Sequence, residues 1–299
     1  MKPDTIFSPA FGNRPRTLVG RQELLEGLLA GLSSRPGSRE RATLILGQRG
    51  SGKTVLLWEL ADQARSKGFV VANPTMASEG MLDRIVEKIQ TDGERFETRG
   101  PASVSGASIG ALGFSVGLQF TRETMETKSF HFKLRSLCTK LSRLGHGVLI
   151  LVDELQANTA DLRQLVSAYQ ELIGEGFDVA MVLAGLPSAV AGTLNDKVLT
   201  FLNRAQRVSL GPLAAGEIDA YYVDAFRELG IHMTEELRGE AVRATEGSPY
   251  LMQLVGHYLC LYEHDGAADD QALSRAVRAA RTDFMRDGCE TTLATLSQV

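Results

Sequence analysis

Short, continuous apolar runs recur along the first two thirds of the chain, each bounded by glycine, proline or polar clusters. They are ATLIL (42–46), FVVAN (69–73), GVLILVDE (147–154), DVAMVLAG (178–185) and RVSLG (207–211). Runs of this length without polar alternation read as strands buried on both faces. Between them the apolar positions recur with helical period. One helix is expected over 53–67, and another over 81–90 with Leu82, Ile85, Val86 and Ile89 on one face; others follow over 130–144 and 160–173. Alternating strands and helices imply a mostly parallel sheet covered by helices. Pro74 is expected to stop the second strand, because it cannot donate to the ladder. After Pro212 the pattern is helical throughout, over 216–229, 234–245, 249–262 and 269–286. The expected organisation is therefore an α/β core over 1–211 and a helical domain over 212–299.

One segment departs from this scheme. From Leu112 to Phe120 apolar and small or polar residues alternate strictly, which is the period of a half-buried strand. With the glycine-rich stretch before it, the segment reads as a β-hairpin inserted on the core at about 100–121.

Composition narrows the picture. With 299 residues, 43% of them hydrophobic, the chain has room for one large domain and a smaller one. Net charge is −4, from 32 basic and 36 acidic residues, so no global footprint for nucleic acid exists, although a local basic patch stays open. Arg275, Arg278 and Arg281 lie at three-residue spacing and read first as a solvated helix face. Cys138, Cys260 and Cys289 match neither a disulfide framework nor a zinc spacing, and the histidines show no ligand spacing. No signal peptide or membrane-length apolar run is present, so a soluble, cytoplasmic chain is expected, with no membrane partner.

The candidate chemistry lies in GQRGSGKT, residues Gly47, Gln48, Arg49, Gly50, Ser51, Gly52, Lys53 and Thr54. It matches the phosphate-loop pattern G-x-x-x-x-G-K-[ST] between an expected strand and an expected helix. Such a loop turns consecutive backbone N–H groups and a helix N-terminus toward a polyphosphate. Lys53 would reach the β- and γ-phosphates and Thr54 would ligate Mg²⁺. The second half of such a site is an acid at the end of a buried strand, and LILVDE supplies two. Asp153 would orient the Mg²⁺ shell, most simply through water, and Glu154 would polarise an attacking water. A small-molecule kinase has no need of that second carboxylate, so the pair favours hydrolysis of ATP. Lys53 and Asp153 are 100 positions apart (153 − 53), a surplus that the 100–121 insertion accounts for.

With both motifs placed, the chain resembles an AAA+ ATPase of the origin-recognition-like, or archaeal-ATPase-like, group. Leu18-Val19-Gly20-Arg21 with Glu23-Leu24 is similar to the opening "LVGR-x-x-EL" segment of that group, which implies Val19 and Gly20 as contacts to the adenine. NRAQRVSLGPL (203–213) resembles the segment before the last strand, and there Arg204 falls on the arginine finger that acts in trans on a neighbouring subunit's ATP. A surface arginine tied in an ion pair is the alternative for Arg204, and Arg207 is the weaker candidate for the same role. Asn73 stands where related ATPases keep a polar residue restraining the catalytic glutamate; a strand-ending Asn-Pro turn explains it as well.

Two positions depart from the pattern. AGLPS places Leu186 where a polar sensor belongs, with Ser188 nearby, and EGSPYL (246–251) places Tyr250 where an arginine sensor belongs. Gly247-x-Pro249 resembles instead the "G-x-P" of STAND signalling ATPases, which implies Pro249 against the nucleotide. Relatives commonly continue into a DNA-binding winged helix, and LATLSQV falls about where one would begin.

The resemblance and the motifs together imply a P-loop NTPase core with a five-stranded parallel sheet, a helical AAA+ lid and a β-hairpin insertion. They imply a slow ATPase that uses the ATP/ADP cycle, with Mg²⁺, as an assembly or conformational switch on a protein partner, forming a homo-oligomer when ATP-bound. Two alternatives stay open: a STAND-like switch that retains ADP with little turnover, and a DNA-binding regulator with a structural ATP site, which the acidic balance does not support.

Overall fold

The computed structural model describes residues 6–7, 9, 14–96, 118, 127–156, 159–196 and 199–296, with side chains up to residue 287. The hairpin expected over 100–121 lies outside the described residues, Leu118 excepted. Leu118 is buried, and its carbonyl accepts a hydrogen bond from Gln90 Nε2 at 3.0 Å.

The described residues divide into two compact units. The first comprises Leu24–Gly47 and Leu56–Ser209. It holds a five-stranded, all-parallel sheet of β1 (Ala42–Leu46), β2 (Val70–Met76), β3 (Val148–Asp153), β4 (Val179–Gly185) and β5 (Gln206–Ser209), in the order β2-β3-β4-β1-β5. Burial follows that order. Every residue of β3 and β4 is buried, as central strands between helical layers require, while β5 at an edge alternates half-buried with exposed. Helices α2 (Lys53–Ser66), α3 (Met81–Gly93), α4 (Phe130–Arg143) and α5 (Ala160–Gly174) follow the strands in turn. The apolar face anticipated on α3 is the buried one, with Leu82, Ile85, Val86 and Ile89 all in the core. Thr159 caps α5 and Ser129 caps α4, each side chain accepting from the backbone N–H three residues on.

The second strand does not stop at Pro74. It continues to Met76, with a register shift between Ala72 and Thr75. Two features make this tolerable. β2 is an edge strand, so the missing donor has no neighbour to serve on one side. The bulge is also stitched from α3: Lys88 Nζ donates to the carbonyls of Asn73 (3.2 Å) and Pro74 (3.0 Å) and to Thr75 Oγ1 (2.9 Å). Burial there pulls the Lys88 ammonium below its ordinary pKa. The core also absorbs Cys138, whose thiol burial pushes up to about 12; an ionised, reactive thiolate is thereby disfavoured.

The second unit comprises the described residues up to Glu23, Gln48–Val55, and the chain from Leu210 onward. Four helices dominate it: α7 (Ala215–Leu229), α8 (Glu235–Ala244), α9 (Pro249–Tyr262) and α10 (Asp270–Leu296). (In chain order, α1 is Gln22–Leu32 and α6 is Pro187–Leu194.) Tyr222 on α7 is fully buried and satisfies its hydroxyl on Met252 O at 2.9 Å. Phe7 enters this helical core from the N-terminal segment. Its ring lies 5.8 Å from Tyr221, 6.0 Å from Tyr222 and 5.4 Å from Phe226. Nothing in the apolar pattern around Phe7 announces this docking. The terminal helix also runs further than the 286 expected, to Leu296. Among the described residues no helix is long and apolar enough to cross a membrane.

Candidate functional site

In the first unit the strand ends bring the candidate acids into place. In register, Val152 pairs with Leu183 of β4, and Leu183 follows Val182, the partner of Thr43 on β1 by one residue. Asp153 therefore lies level with Ala184 and with Ile45, near the carboxyl end of β1 and two strand spacings from it, about 10 Å. Ligands of open parallel sheets bind outside this carboxyl edge. Asp153 is 5% exposed, and its Oδ1 accepts the backbone N–H of Glu154 at 2.8 Å. Its carbonyl accepts from Ala77 N–H at 3.1 Å, and Leu155 N–H donates to Ala184 O at 2.8 Å. Between these two anchors Glu154 takes a left-handed φ of +51° and turns its side chain out to solvent. Among the described residues only Glu246 and Asp265 share that conformation without being glycine. It costs of order 1–3 kcal/mol at a non-glycine residue and collects at functional sites.

Asn73 does not wait free for Glu154. Its carboxamide oxygen accepts from Arg65 on α2. Arg204 ends the turn before β5, is exposed, and has no ion-pair partner among the described residues. Arg207, also exposed, donates to Asn203 Oδ1 at 3.3 Å. Leu186 caps α6 with its backbone only, and Ser188 is exposed in that helix's first turn.

The chain passes from β1 through Gly47, whose N–H donates to Gly185 O at 3.2 Å, into the phosphate-loop residues of the second unit. Gln48, Arg49 and Gly50 are exposed, and Ser51, Gly52 and Lys53 are half-buried. Lys53 Nζ folds back over the loop and donates to Gln48 O at 2.8 Å. Ser51 Oγ is buried without a hydrogen-bond partner among the described residues. Thr54 opens α2 at the surface. Gly50 has a φ of +73°, and α9 meets the loop there: a Cβ built on Gly50 would lie 2.9 Å from Tyr250 Cβ. Pro249 approaches Gly52 in the same way, at 3.8 Å. Ser248 caps α9 through Leu251 N–H and Pro249 follows as its first residue, so the helix begins against the loop. Tyr250 extends its ring toward α10, where its hydroxyl bonds to Asp287 and its ring centroid lies 6.1 Å from Phe284. Burial and that bond hold the phenol well above its ordinary pKa.

Val19 and Gly20 line a separate cleft of about 330 Å³ with Ile6 and α7. Its lining includes Val19, Ala220 and Tyr221 together with the acids Glu217, Asp224 and Glu228, the last paired with Arg16 at 3.0 Å. The Glu217 carboxylate packs against Gly20 and accepts Ala214 N–H at 3.0 Å. Arg21 bonds to Gly211 O, and burial lowers its pKa against the pull of Glu217.

Sequence reasoning thus missed Tyr250 as a contact of the loop and Glu217 as part of the cleft. The first offered only an absent arginine as its signal; the second offered none. Two of the three spaced arginines on α10 have local partners: Arg275 stacks on Tyr262 at 4.3 Å and Arg281 pairs with Glu246 at 3.0 Å. No cluster of three or more His, Cys, Asp or Glu able to hold a metal ion occurs among the described residues.

A family model described as "AAA ATPase domain" matches residues 17–182. Among solved structures, a Walker-type ATPase of Pyrococcus abyssi is similar with a TM-score of 0.68 and 16% identity, over 98% of this chain and 79% of that one. The ORC2 protein of Aeropyrum pernix, solved in ADPNP–ADP complexes, gives 0.60 and 14%, over 91% and 70%. Domain III of the replication initiation protein DnaA from Thermotoga maritima gives 0.51 and 13%, over 94% and 97%. At these identities the likeness is one of fold. No curated protein matches the chain.

Proposed function

The chain belongs to the AAA ATPase domain family, and from that premise we propose that it hydrolyses ATP slowly and uses the ATP/ADP cycle as an assembly or conformational switch acting on a partner. The observation that carries the reading is the end of β3, where a buried Asp153 is followed by an exposed Glu154 held in a strained left-handed turn. The left-handed turn lets Leu155 N–H reach Ala184 O and aims Glu154 outward at the sheet edge where ligands bind.

In this reading the loop residues Gly47 to Thr54 hold the polyphosphate. The loop fits one: Ser51 Oγ lacks a partner, and Lys53 is satisfied by a carbonyl that a phosphate oxygen can replace. Lys53 stabilises charge on the β- and γ-phosphates, and Glu154 orients and deprotonates water. Mg²⁺, held by Thr54 and, through water, by Asp153, would neutralise charge on the phosphates; a cation bound with phosphate oxygens needs few protein carboxylates. The cleft beside Val19 and Gly20 takes the adenine. Its size suits a base, the carboxylates in its lining disfavour a phosphate, and Glu217 can accept from an exocyclic amino group. Residues 1–211 act as the nucleotide-binding core and 212–299 as the lid. Arg204, exposed and unpaired among the described residues, is the finger offered to a neighbouring subunit's ATP.

A second reading, a switch that retains ADP with little turnover, is favoured by Pro249 and Tyr250 packed on the loop glycines. One experiment separates the two. Steady-state ATPase rate per subunit is measured against protein concentration for wild type and Arg204→Ala, with Glu154→Gln as blank. A rate that rises with concentration and collapses in the Arg204 variant supports assembly and a shared site. A flat rate, unchanged by Arg204→Ala, removes the trans finger. Co-purified ADP with no turnover above the blank moves the conclusion to the second reading.

A further inference from the structure

Helices α9 and α10 are zipped by two phenol–carboxylate bonds. Tyr250 bonds to Asp287 and Tyr258 to Asp283, and Arg286 bridges both acids, at 2.9 Å from Asp283 and 3.4 Å from Asp287. The two tyrosines are chemically alike: both phenols are pushed up in pKa, Tyr250 by burial and then its bond, Tyr258 to about 12 by its bond and then burial. They differ in one respect. Tyr258 stacks on Tyr262 at 5.8 Å and lies edge-on to His257, both on its own helix. Tyr250 has its Cβ on Gly50 of the phosphate loop and its hydroxyl on Asp287, so one side chain touches the loop with its root and α10 with its tip.

We infer that Tyr250 is a positioning residue that links the phosphate loop to α10, so that nucleotide occupancy of the loop is read out as a change in the stability of the C-terminal part of α10. The inference rests on the ATP-binding reading above. Its physical basis is steric. Gly50 already sits in a left-handed conformation with no room between it and Tyr250, so a rearrangement of the loop around a polyphosphate must move the root of Tyr250. A stiff aromatic side chain with two rotatable bonds passes that movement to its hydroxyl. There it meets a carboxylate two residues beyond Met285, on a helix that runs on to Leu296. Charge-assisted bonds of this kind are strong enough to transmit a shift and directional enough to be broken by one. The coupling is reciprocal: whatever holds the end of α10 alters nucleotide affinity by the same factor.

The test uses the full chain with MgADP and with Mg-AMPPNP as probes. Nucleotide affinity is measured by calorimetry, and backbone hydrogen exchange is followed over 281–296 with and without nucleotide. In wild type, bound nucleotide should change exchange in that segment by about 5-fold or more, the lower range of common allosteric couplings. Tyr250→Phe, which keeps the root and removes the bond to Asp287, should abolish the change, and its nucleotide affinity should shift by about the same factor as the coupling that is lost; Asp287→Asn approaches the same bond from the other end. Tyr258→Phe, which removes the sister bond, should retain the change. Nucleotide bound to wild type without a change over 281–296 overturns the inference and leaves the ATP reading standing. Equal loss in Tyr258→Phe and Tyr250→Phe overturns it as well, because helix pairing as a whole would then be the cause. Absence of any binding heat in wild type overturns the ATP reading, and the inference with it.

Discussion

β3 and α9 each bring candidate residues to a terminus, and the forces behind them are opposite in kind. β3 is buried at every residue from Val148 to Asp153, hydrogen-bonded on both sides, and presents its acids at the end of a dry ladder. The start of α9 rests on a capping serine, a proline, and a tyrosine held by its packing on Gly50, a ring contact with Phe284 and one polar bond, to a carboxylate on the next helix. Apolar burial of the first kind resists gradual adjustment, because close-packed side chains leave no intermediate arrangement. A polar bond contributes about 1 kcal/mol net and is easily exchanged for water. The chemistry of the proposed site thus stands on the rigid element, and the contacts suited to respond to nucleotide stand on the adjustable one.

The contrast breaks most visibly at the rigid end. Ile150, fully buried on β3, should lose about 2–5 kcal/mol of stability when truncated in Ile150→Ala, read as a lower denaturation midpoint in urea. An equal cost from Tyr258→Phe would show that the helical unit is as intolerant as the sheet. Next comes Glu154→Gln. Loss of a positioned base lowers turnover by about 10²–10⁴-fold, and nucleotide affinity should stay near wild type. Stability should not fall, since the isosteric amide keeps the same backbone turn. Unchanged turnover would remove Glu154 from the chemistry.

Gly50→Ala probes the place where the loop meets α9. Left-handed backbone costs roughly 1–2 kcal/mol at alanine, and the added methyl collides with Tyr250 Cβ. Nucleotide affinity should therefore drop by about 10-fold, the equivalent of 1.4 kcal/mol, as measured by calorimetry. Pairing the change with Tyr250→Ala should restore part of the loss, because the collision goes while the backbone cost stays. No recovery in the double variant would mean that the contact at Gly50 does not set affinity.

How far the sequence anticipates all this depends on the range of the interactions. The strands of the sheet are continuous apolar runs, and their parallel order follows from alternation with helices, so the five-stranded α/β fold is legible from local pattern. The phosphate loop and the acids at 153 and 154 are local as well, as a spacing and as the end of an apolar run. Three of the failures involve partners distant in sequence. Pro74 reads as a strand terminator because Lys88, one element later, is what satisfies the bulge. Phe7 reads as an isolated aromatic because its partners lie beyond residue 220. Tyr250 reads as a missing arginine, since neither Gly50 nor Asp287 is near it in the chain. Helical period tells which face of α9 is apolar; it does not tell that one phenol on the border of that face will meet an acid 37 residues away.

The smallest expected effect is also the sharpest for the comparison between the two elements. Tyr250→Phe and Tyr258→Phe each remove one hydroxyl bond between the same two helices. By that measure alone they should cost the same, roughly 0.5–1.5 kcal/mol, in denaturation without nucleotide. Adding nucleotide should separate them. Ligand stabilises a folded state by an amount set by its affinity, so the midpoint shift on adding MgADP should be the same as wild type in Tyr258→Phe. In Tyr250→Phe the tie between the loop and α10 is gone, so α10 should melt ahead of the rest and the transition, followed by exchange over 281–296, should split from the global one. If the two variants keep single, coincident transitions with nucleotide bound, α9 and α10 form one cooperative block, and the start of α9 is as rigid in practice as the end of β3.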